Sequence, residues 1–131
     1  MSESMLFYTA VPILLGGQPR FVGRLAARLY ARHGITVHWY GRGFHPLLSV
    51  FAERHPLTLP FTEAHDNVMV ELLCGFEKNQ RHIGGIPCLI PCSAEAARFM
   101  ERKRDILEER FVLLQYPEQG EDPLYRLVHS H

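Results

Sequence analysis

The chain has 131 residues, of which 47% are hydrophobic and 21% charged, and its 14 basic residues balance 14 acidic ones. This size and composition are typical of one globular domain, and the zero net charge gives no support to a nucleic-acid or membrane-surface partner. No apolar run has the length of a membrane span and no signal peptide is recognisable. Three cysteines without a Cys-x-x-Cys pair favour reduced thiols, so we expect a cytoplasmic protein.

The first strand and the turn after it organise the rest of the sequence. Residues 8–15 are nearly all apolar, which is typical of a parallel strand buried on both faces. Gly16 and Gly17 follow, and apolar residues then recur at helical spacing from Pro19 to His33. A strand, a glycine turn and a helix build the ligand crevice of α/β proteins, where the helix N-terminus favours an anion. Since neither Gly-x-Gly-x-x-Gly nor a P-loop is present, a turn without a ligand stays equally open.

The rest of the chain alternates between short strands and amphipathic helices. In chain order these are a strand at 35–40, a helix at 44–54, a strand at 57–61, a helix at 63–79, a strand within 83–90, a helix at 94–110 and a strand at 111–114. With right-handed crossovers this alternation predicts an α/β fold, a Rossmann-like open parallel five-stranded sheet in order 3-2-1-4-5 with helices on both faces. We expect a single domain over 1–131, with an ordered core at about 6–115 and a tail or linker at 116–131.

Four arginines of the first helix lie four residues apart and therefore share one face. They are Arg20, Arg24, Arg28 and Arg32. Because the net charge is zero, a solvated helix face is favoured over a basic binding stripe. Arg20 differs from the others, since it lies in the first turn beside the glycine loop, where an arginine can fork onto a carboxylate or phosphate.

The remaining candidate groups are histidines, cysteines and one arginine. His33 and His38 flank a turn, and four further histidines are assigned to different loops: His45, His55, His65 and His82. His129 and His131 form a loose pair that can pick up adventitious metal. Since no pair has the spacing of metal ligands on one helix, we predict no metal site. Cys92 precedes Ser93, which caps the fourth helix, and a thiolate is stabilised at such a position; with no base nearby, an inert buried thiol is favoured. Arg42, and no Asp or Glu, follows the second strand, which weakens a dinucleotide-binding interpretation.

Two parts of the sequence resemble a known family. They are Leu14-Leu15-Gly16-Gly17-Gln18-Pro19-Arg20, with Ala26-Ala27-Arg28 and Gly34-Ile35-Thr36-Val37 after it, and Ile90-Pro91-Cys92-Ser93-Ala94-Glu95, with the segment that follows up to Leu114. Over about residues 6–115 the chain resembles the pre-ATP-grasp domain, the Rossmann-like first domain of ATP-grasp carboxylate–amine ligases and their carbamoyl-phosphate-synthase-like relatives.

The resemblance implies a non-catalytic, substrate-side role. In that family the first domain contributes its glycine loop and strand ends to the site of a carboxylate or amino-acid substrate. ATP and Mg²⁺ belong to a separate ATP-grasp domain, which would be the partner in cis or in trans, so no cofactor and no activity are expected from this chain alone. The parent protein is expected to be an ATP-dependent ligase. The substrate-binding residues implied are Gly16, Gly17, Gln18, Arg20, Cys92, Ser93 and Glu95.

Two other functions stay open. The chain can be a stand-alone Rossmann-like protein that binds a nucleotide or cofactor, or an interaction and homo-oligomerisation domain that uses its arginine face and C-terminal apolar residues. If a ligase domain covers this one, we expect exposed apolar surface near Leu124, Tyr125, Leu127 and Val128.

Overall fold

The computed structural model describes residues 10–81 and 83–124. Within these residues a single sheet contains β1 (Ala10–Leu15), β2 (Val37–Gly41), β3 (Ala52–Pro56), β4 (Ile86–Pro91) and β5 (Val112–Leu113). The strand order is β3-β2-β1-β4-β5, and each neighbouring pair runs parallel. The predicted α/β, Rossmann-like sheet in order 3-2-1-4-5 is therefore confirmed.

Helices cover both faces of the sheet, as predicted. They are α1 (Pro19–His33), α2 (Pro46–Phe51), α3 (Asp66–Arg81), α4 (Ala94–Arg102) and α5 (Arg104–Leu107), with a 3₁₀ turn over Glu63–His65. The first two pack on one face and the last three on the other. The neighbouring strands β1 and β4 therefore lead into helices on opposite faces of the sheet, α1 and α4.

The core has two halves because successive strand residues point to opposite faces. Leu14 and Trp39 pack with α1, whereas Ile13 and Leu15 pack with α4 residues that include Phe99. All five side chains are at most 1% exposed. The near-continuous apolar sequence of β1 follows from this burial on both faces.

The predicted helix at 44–54 is present but shorter, and the predicted strand at 57–61 is wrong. Helix α2 ends at Phe51 and β3 follows without a loop, while residues 57–61 form a connection. Strand β3 lies at the edge of the sheet, where Glu53 and Arg54 are exposed. An edge strand with polar residues lacks the apolar run that marks the other strands, so its sequence predicts a continuation of the helix.

The predicted helix at 94–110 is interrupted. Lys103 has φ −111° and ψ 20°, which ends α4 at Arg102 before α5 begins. Strand β5 is limited to two residues within the predicted 111–114. These differences move the element ends without changing the topology.

The segment 116–124, interpreted from sequence as tail or linker, lies against α1. His33 Nε2 lies 2.7 Å from Asp122 Oδ2, and Arg28 donates a hydrogen bond to the carbonyl of Gly120. Leu124 is completely buried with the α1 side of the core.

The expectation of exposed apolar surface at Leu124 is therefore wrong, because that side chain completes the core of its own domain. Tyr125, Leu127 and Val128 lie outside the described residues. In the part of the chain that the structure describes, no helix combines the length and hydrophobicity needed to cross a bilayer.

Candidate functional site

The turn after β1 and the turn after β4 are in direct contact. The N–H of Cys92 donates to the carbonyl of Leu15 over 2.8 Å. Gly17, at φ +89°, approaches so closely that a Cβ placed on it would lie 2.5 Å from the oxygen of Cys92. Only glycine fits at this position. The two turns predicted to border a pocket therefore meet at the topological switch point, where open α/β sheets bind their ligands.

Gly16 is fixed by β2 on the other side of β1. Its N–H donates to the carbonyl of Tyr40 and its own carbonyl accepts from Trp39 Nε1, both over 2.8 Å. Sequence reasoning missed this role of Trp39; an indole at the end of a strand beside a glycine turn was the signal available. Both backbone polar groups of Gly16 are therefore hydrogen-bonded to β2.

An aromatic ring occupies the α4 side of the switch point. A Cβ on Gly16 would lie 3.2 Å from the ring of Phe61 and 3.1 Å from Ser93 Oγ. The Phe61 and Phe99 ring centroids are 5.4 Å apart. A ligand that approaches Gly16 from this side has to displace Phe61, a residue that the sequence placed in a strand.

Cys92 is a structural cysteine. It is 2% exposed, lies with the α1 side of the core, and burial raises the pKa of its thiol far above the ordinary value. A thiol held protonated in this way is a poor nucleophile. Of the residues implied to bind substrate, Cys92 can contribute only its backbone, near Gly17.

Ser93 and Glu95 begin α4. Ser93 Oγ accepts a hydrogen bond of 3.1 Å from the N–H of Ala96, which confirms the predicted helix cap. Glu95 is exposed and its carboxylate lies 3.6 Å from the guanidinium of Arg98. Ser93 is thus next to the glycine turn, whereas the side chain of Glu95 faces solvent in the first turn of α4.

Gln18 and Arg20 line a groove beside α1. Gln18 is the N-cap of α1, its side chain makes no capping hydrogen bond, and Arg20 is exposed in the first turn. The groove runs between α1 and residues 118–120 and has a volume of about 610 Å³. Arg24 and Glu118 also line it, so its wall carries charges of both signs.

The four arginines of α1 divide into two pairs. Arg28 binds the carbonyl of Gly120, and Arg32 lies 3.6 Å from Asp122, so these two hold the chain's own C-terminal segment. Among the described residues, Arg20 and Arg24 make neither a hydrogen bond nor an ion pair. The interpretation of the arginine face as solvated therefore applies to Arg20 and Arg24, whereas Arg28 and Arg32 contact residues of segment 116–124.

Arg42 has a structural partner as well. Its Nη2 donates to the carbonyl of Thr58 over 2.7 Å and so fastens the connection after β3 to the end of β2. This guanidinium is exposed, but its hydrogen bond explains its presence without a nucleotide phosphate.

A second group of polar side chains lies on β2 and β3. His38 Nδ1 is 3.1 Å from His55 Nε2 and 3.3 Å from Glu53 Oε2. The assignment of His55 to a loop is wrong, because it lies on β3 and stacks on Tyr40 at 4.4 Å. Burial lowers the pKa of both histidines, although the nearby Glu53 opposes the shift.

Comparisons of the chain with models of known protein families, with curated proteins and with solved structures gave no match. The interpretation of the site therefore depends on its geometry and on the sequence resemblance described above.

Proposed function

We propose that the chain is the substrate-side, pre-ATP-grasp-like domain of an ATP-dependent carboxylate–amine ligase. It binds a small carboxylate or amino acid and has no activity alone. ATP and Mg²⁺ bind to an ATP-grasp domain, in cis or in trans, in the cytoplasm. These assignments extend the sequence resemblance. The strand order supports them only in that it matches the Rossmann-like sheet that the resemblance implies.

The observation that carries the proposal is the contact between Gly17 and Cys92 at the ends of β1 and β4. These are the two turns by which the sequence resembles the ligase domain, and they are 75 residues apart in the chain. The sheet brings them together where α/β proteins bind ligands. This juxtaposition is what a substrate-side domain of that family requires.

The charges beside the glycine turn fit an amino acid. The first turn of α1 leaves backbone N–H groups without helical partners and carries a partial positive charge. Arg20 and Arg24 add two guanidinium groups, each of which can bind a carboxylate through two parallel hydrogen bonds. Glu118 lines the same groove and offers a negative group to an ammonium. The groove thus has complementary charges for both ends of a zwitterion.

The same surroundings disfavour a stand-alone nucleotide-binding protein. The end of β2 carries Arg42, whose guanidinium is bonded to Thr58, where a ribose-binding carboxylate would lie in a dinucleotide-binding domain. Phe61 covers Gly16 on the α4 side. Both features leave the α1 groove as the accessible part of the site.

Isothermal titration calorimetry on the purified chain tests the proposal. We expect measurable binding of at least one member of a panel of amino acids and small dicarboxylates, and no heat with Mg·ATP. Arg20→Gln should weaken the binding about tenfold or more, the loss of one charge-assisted hydrogen-bonding group. Lys78→Gln, which removes one positive charge from α3 on the other face of the sheet, should leave it unchanged.

Tight binding of Mg·ATP to the chain alone would overturn the proposal in favour of a nucleotide-binding protein. Determining the coding sequence downstream of the His131 codon is the complementary test, because the proposal predicts a segment with the length and ligands of an ATP-grasp domain there or in a co-expressed partner.

A further inference from the structure

The polar group on β2 and β3 is a product of strand register. In this parallel pair His38 is opposite Glu53, and Tyr40 is opposite His55. Alternation along each strand sends all four side chains to the same face. The ring of Phe76 on α3 contacts this face, with its centroid 4.7 Å from that of His38. Two imidazoles and a carboxylate are therefore collected on the α3 side of the edge of the sheet.

The donor atoms have the spacing of metal ligands. A tetrahedral zinc ion with bonds of about 2.0–2.2 Å separates its ligand atoms by about 3.3–3.6 Å. His38 Nδ1 lies 3.1 Å from His55 Nε2 and 3.3 Å from Glu53 Oε2. One ligand atom from each of these residues lies within 4.8 Å of both others. The two distances from His38 Nδ1 are within about 0.2 Å of the tetrahedral range, and side-chain adjustment of the exposed Glu53 can bring the third ligand atom to the same ion.

We propose that His38, Glu53 and His55 form a binding site for a divalent transition-metal ion of the zinc class. The site takes Nδ1 of the first residue, a carboxylate oxygen of the second and Nε2 of the third. Two imidazoles and one carboxylate suit zinc and its neighbours, whereas calcium and magnesium prefer oxygen ligands. With three protein ligands, a fourth position remains for water or another ligand.

The surrounding side chains support the orientation that such a site needs. The ring of Tyr40 stacks on His55 with a centroid distance of 4.4 Å and an interplanar angle of 6°. Phe76 meets both imidazoles edge-on. Packed aromatic walls fix the ring planes, so less side-chain freedom is lost on metal binding. Glu53 is 65% exposed and opens the group to solvent, which gives an ion a route of entry.

This inference does not rest on the proposed function, because the group lies on the α3 face and the amino-acid groove lies beside α1. The sequence prediction of no metal site used ligand spacing along one element. His38 and His55 instead come together from two paired strands. The competing explanation is a hydrogen bond between two neutral imidazoles with a surface carboxylate beside them.

Competition of the chelator-treated chain with a chromophoric zinc indicator tests the site. The background should carry His129→Ser and His131→Ser, so that these two histidines contribute no binding. We expect one zinc per chain, and cobalt should give the visible absorption of a tetrahedral site with nitrogen and oxygen ligands. His55→Ala should weaken zinc binding by about 100-fold or more, since even outer-shell changes cost 10- to 100-fold.

Matched variants control for charge and for folding. Glu63→Gln and His65→Ala change the same residue types away from the group and should leave zinc binding unaltered. Glu53→Gln changes the exposed ligand, so it keeps the test informative if His55→Ala fails to fold. Absence of stoichiometric zinc binding in the background chain overturns the proposal, and so does zinc binding that survives both His55→Ala and Glu53→Gln.

Discussion

Replacing Gly17 with alanine probes the contact on which the candidate site depends. Gly17 has φ +89°, and its added Cβ would lie 2.5 Å from Cys92 O, 2.8 Å from Cys92 Cβ and 3.0 Å from Val22 Cγ2. The left-handed backbone costs an L-residue about 1–2 kcal/mol. Overpacking against a fixed backbone carbonyl adds about 1–3 kcal/mol. The free energy of unfolding should therefore fall by about 2–5 kcal/mol, a large part of a typical total of about 5–15 kcal/mol.

Gly84→Ala provides a control with nearly the same backbone angle. Gly84 has φ +92°, but nothing lies within 4 Å of its added Cβ, so only the backbone cost of about 1–2 kcal/mol is expected. At about 4 °C per kcal/mol, the Tm should fall by about 8–20 °C for Gly17→Ala and about 4–8 °C for Gly84→Ala.

Thermal unfolding followed by tryptophan fluorescence suits this comparison. Trp39 is the single tryptophan, it is 1% exposed, and its indole N–H is bonded to the carbonyl of Gly16. If the two glycine variants lose equal stability, the turn after β1 does not pack against the turn after β4 and the candidate site is not formed as described.

Three other predictions concern the ion pair, the thiols and the C-terminal segment. The Arg102 guanidinium, bonded to both carboxylate oxygens of Asp66 at 2.7 and 2.9 Å, holds the pKa of Asp66 below its usual 3.8. This stabilisation is present above that ordinary value, which applies to the unfolded state, and is lost as the pH falls through the folded-state pKa. Asp66→Asn should therefore cost about 1–3 kcal/mol at pH 7 and flatten the decline of stability below about pH 4 in urea titrations. Cys74 is half-buried whereas Cys92 is buried with a raised pKa, so native-state alkylation followed by mass spectrometry should modify Cys74 first, and rapid labelling of Cys92 would contradict its structural role. Leu124→Ala should cost about 2–5 kcal/mol and expose segment 116–124 to limited proteolysis; unchanged cleavage would mean that the segment is not anchored by this side chain.

The parts of the fold that could be predicted from sequence are those that a local residue pattern marks. Strand β1 and helix α1 carry apolar residues at strand and helix spacing, and the observed ends of α1 coincide with the prediction. Ser93 was recognisable as a cap because its side chain acts on the local backbone. Local signals of this kind do not depend on what lies elsewhere in the fold.

The errors occur where long-range contacts decide the structure. Strand β3 reads Ala-Glu-Arg-His-Pro and is held by its pairing with β2, which no local pattern shows. Placing the third strand at 57–61 also hides the juxtaposition of His38 with His55. Likewise, the burial of Leu124 against α1 depends on a segment that returns across the molecule, which composition alone marked as a tail.

Amide chemical-shift mapping by NMR tests the central claim most directly, that the joined turns after β1 and β4 and the adjoining α1 groove bind a small carboxylate. Titration with the amino acid or dicarboxylate that calorimetry selects should shift the amide signals of Gly16, Gly17, Arg20 and residues 118–120 together, at one common dissociation constant. Mg·ATP should leave the same signals in place. The account is contradicted if those amides respond to Mg·ATP instead, or if the carboxylate shifts signals elsewhere and leaves this group unchanged.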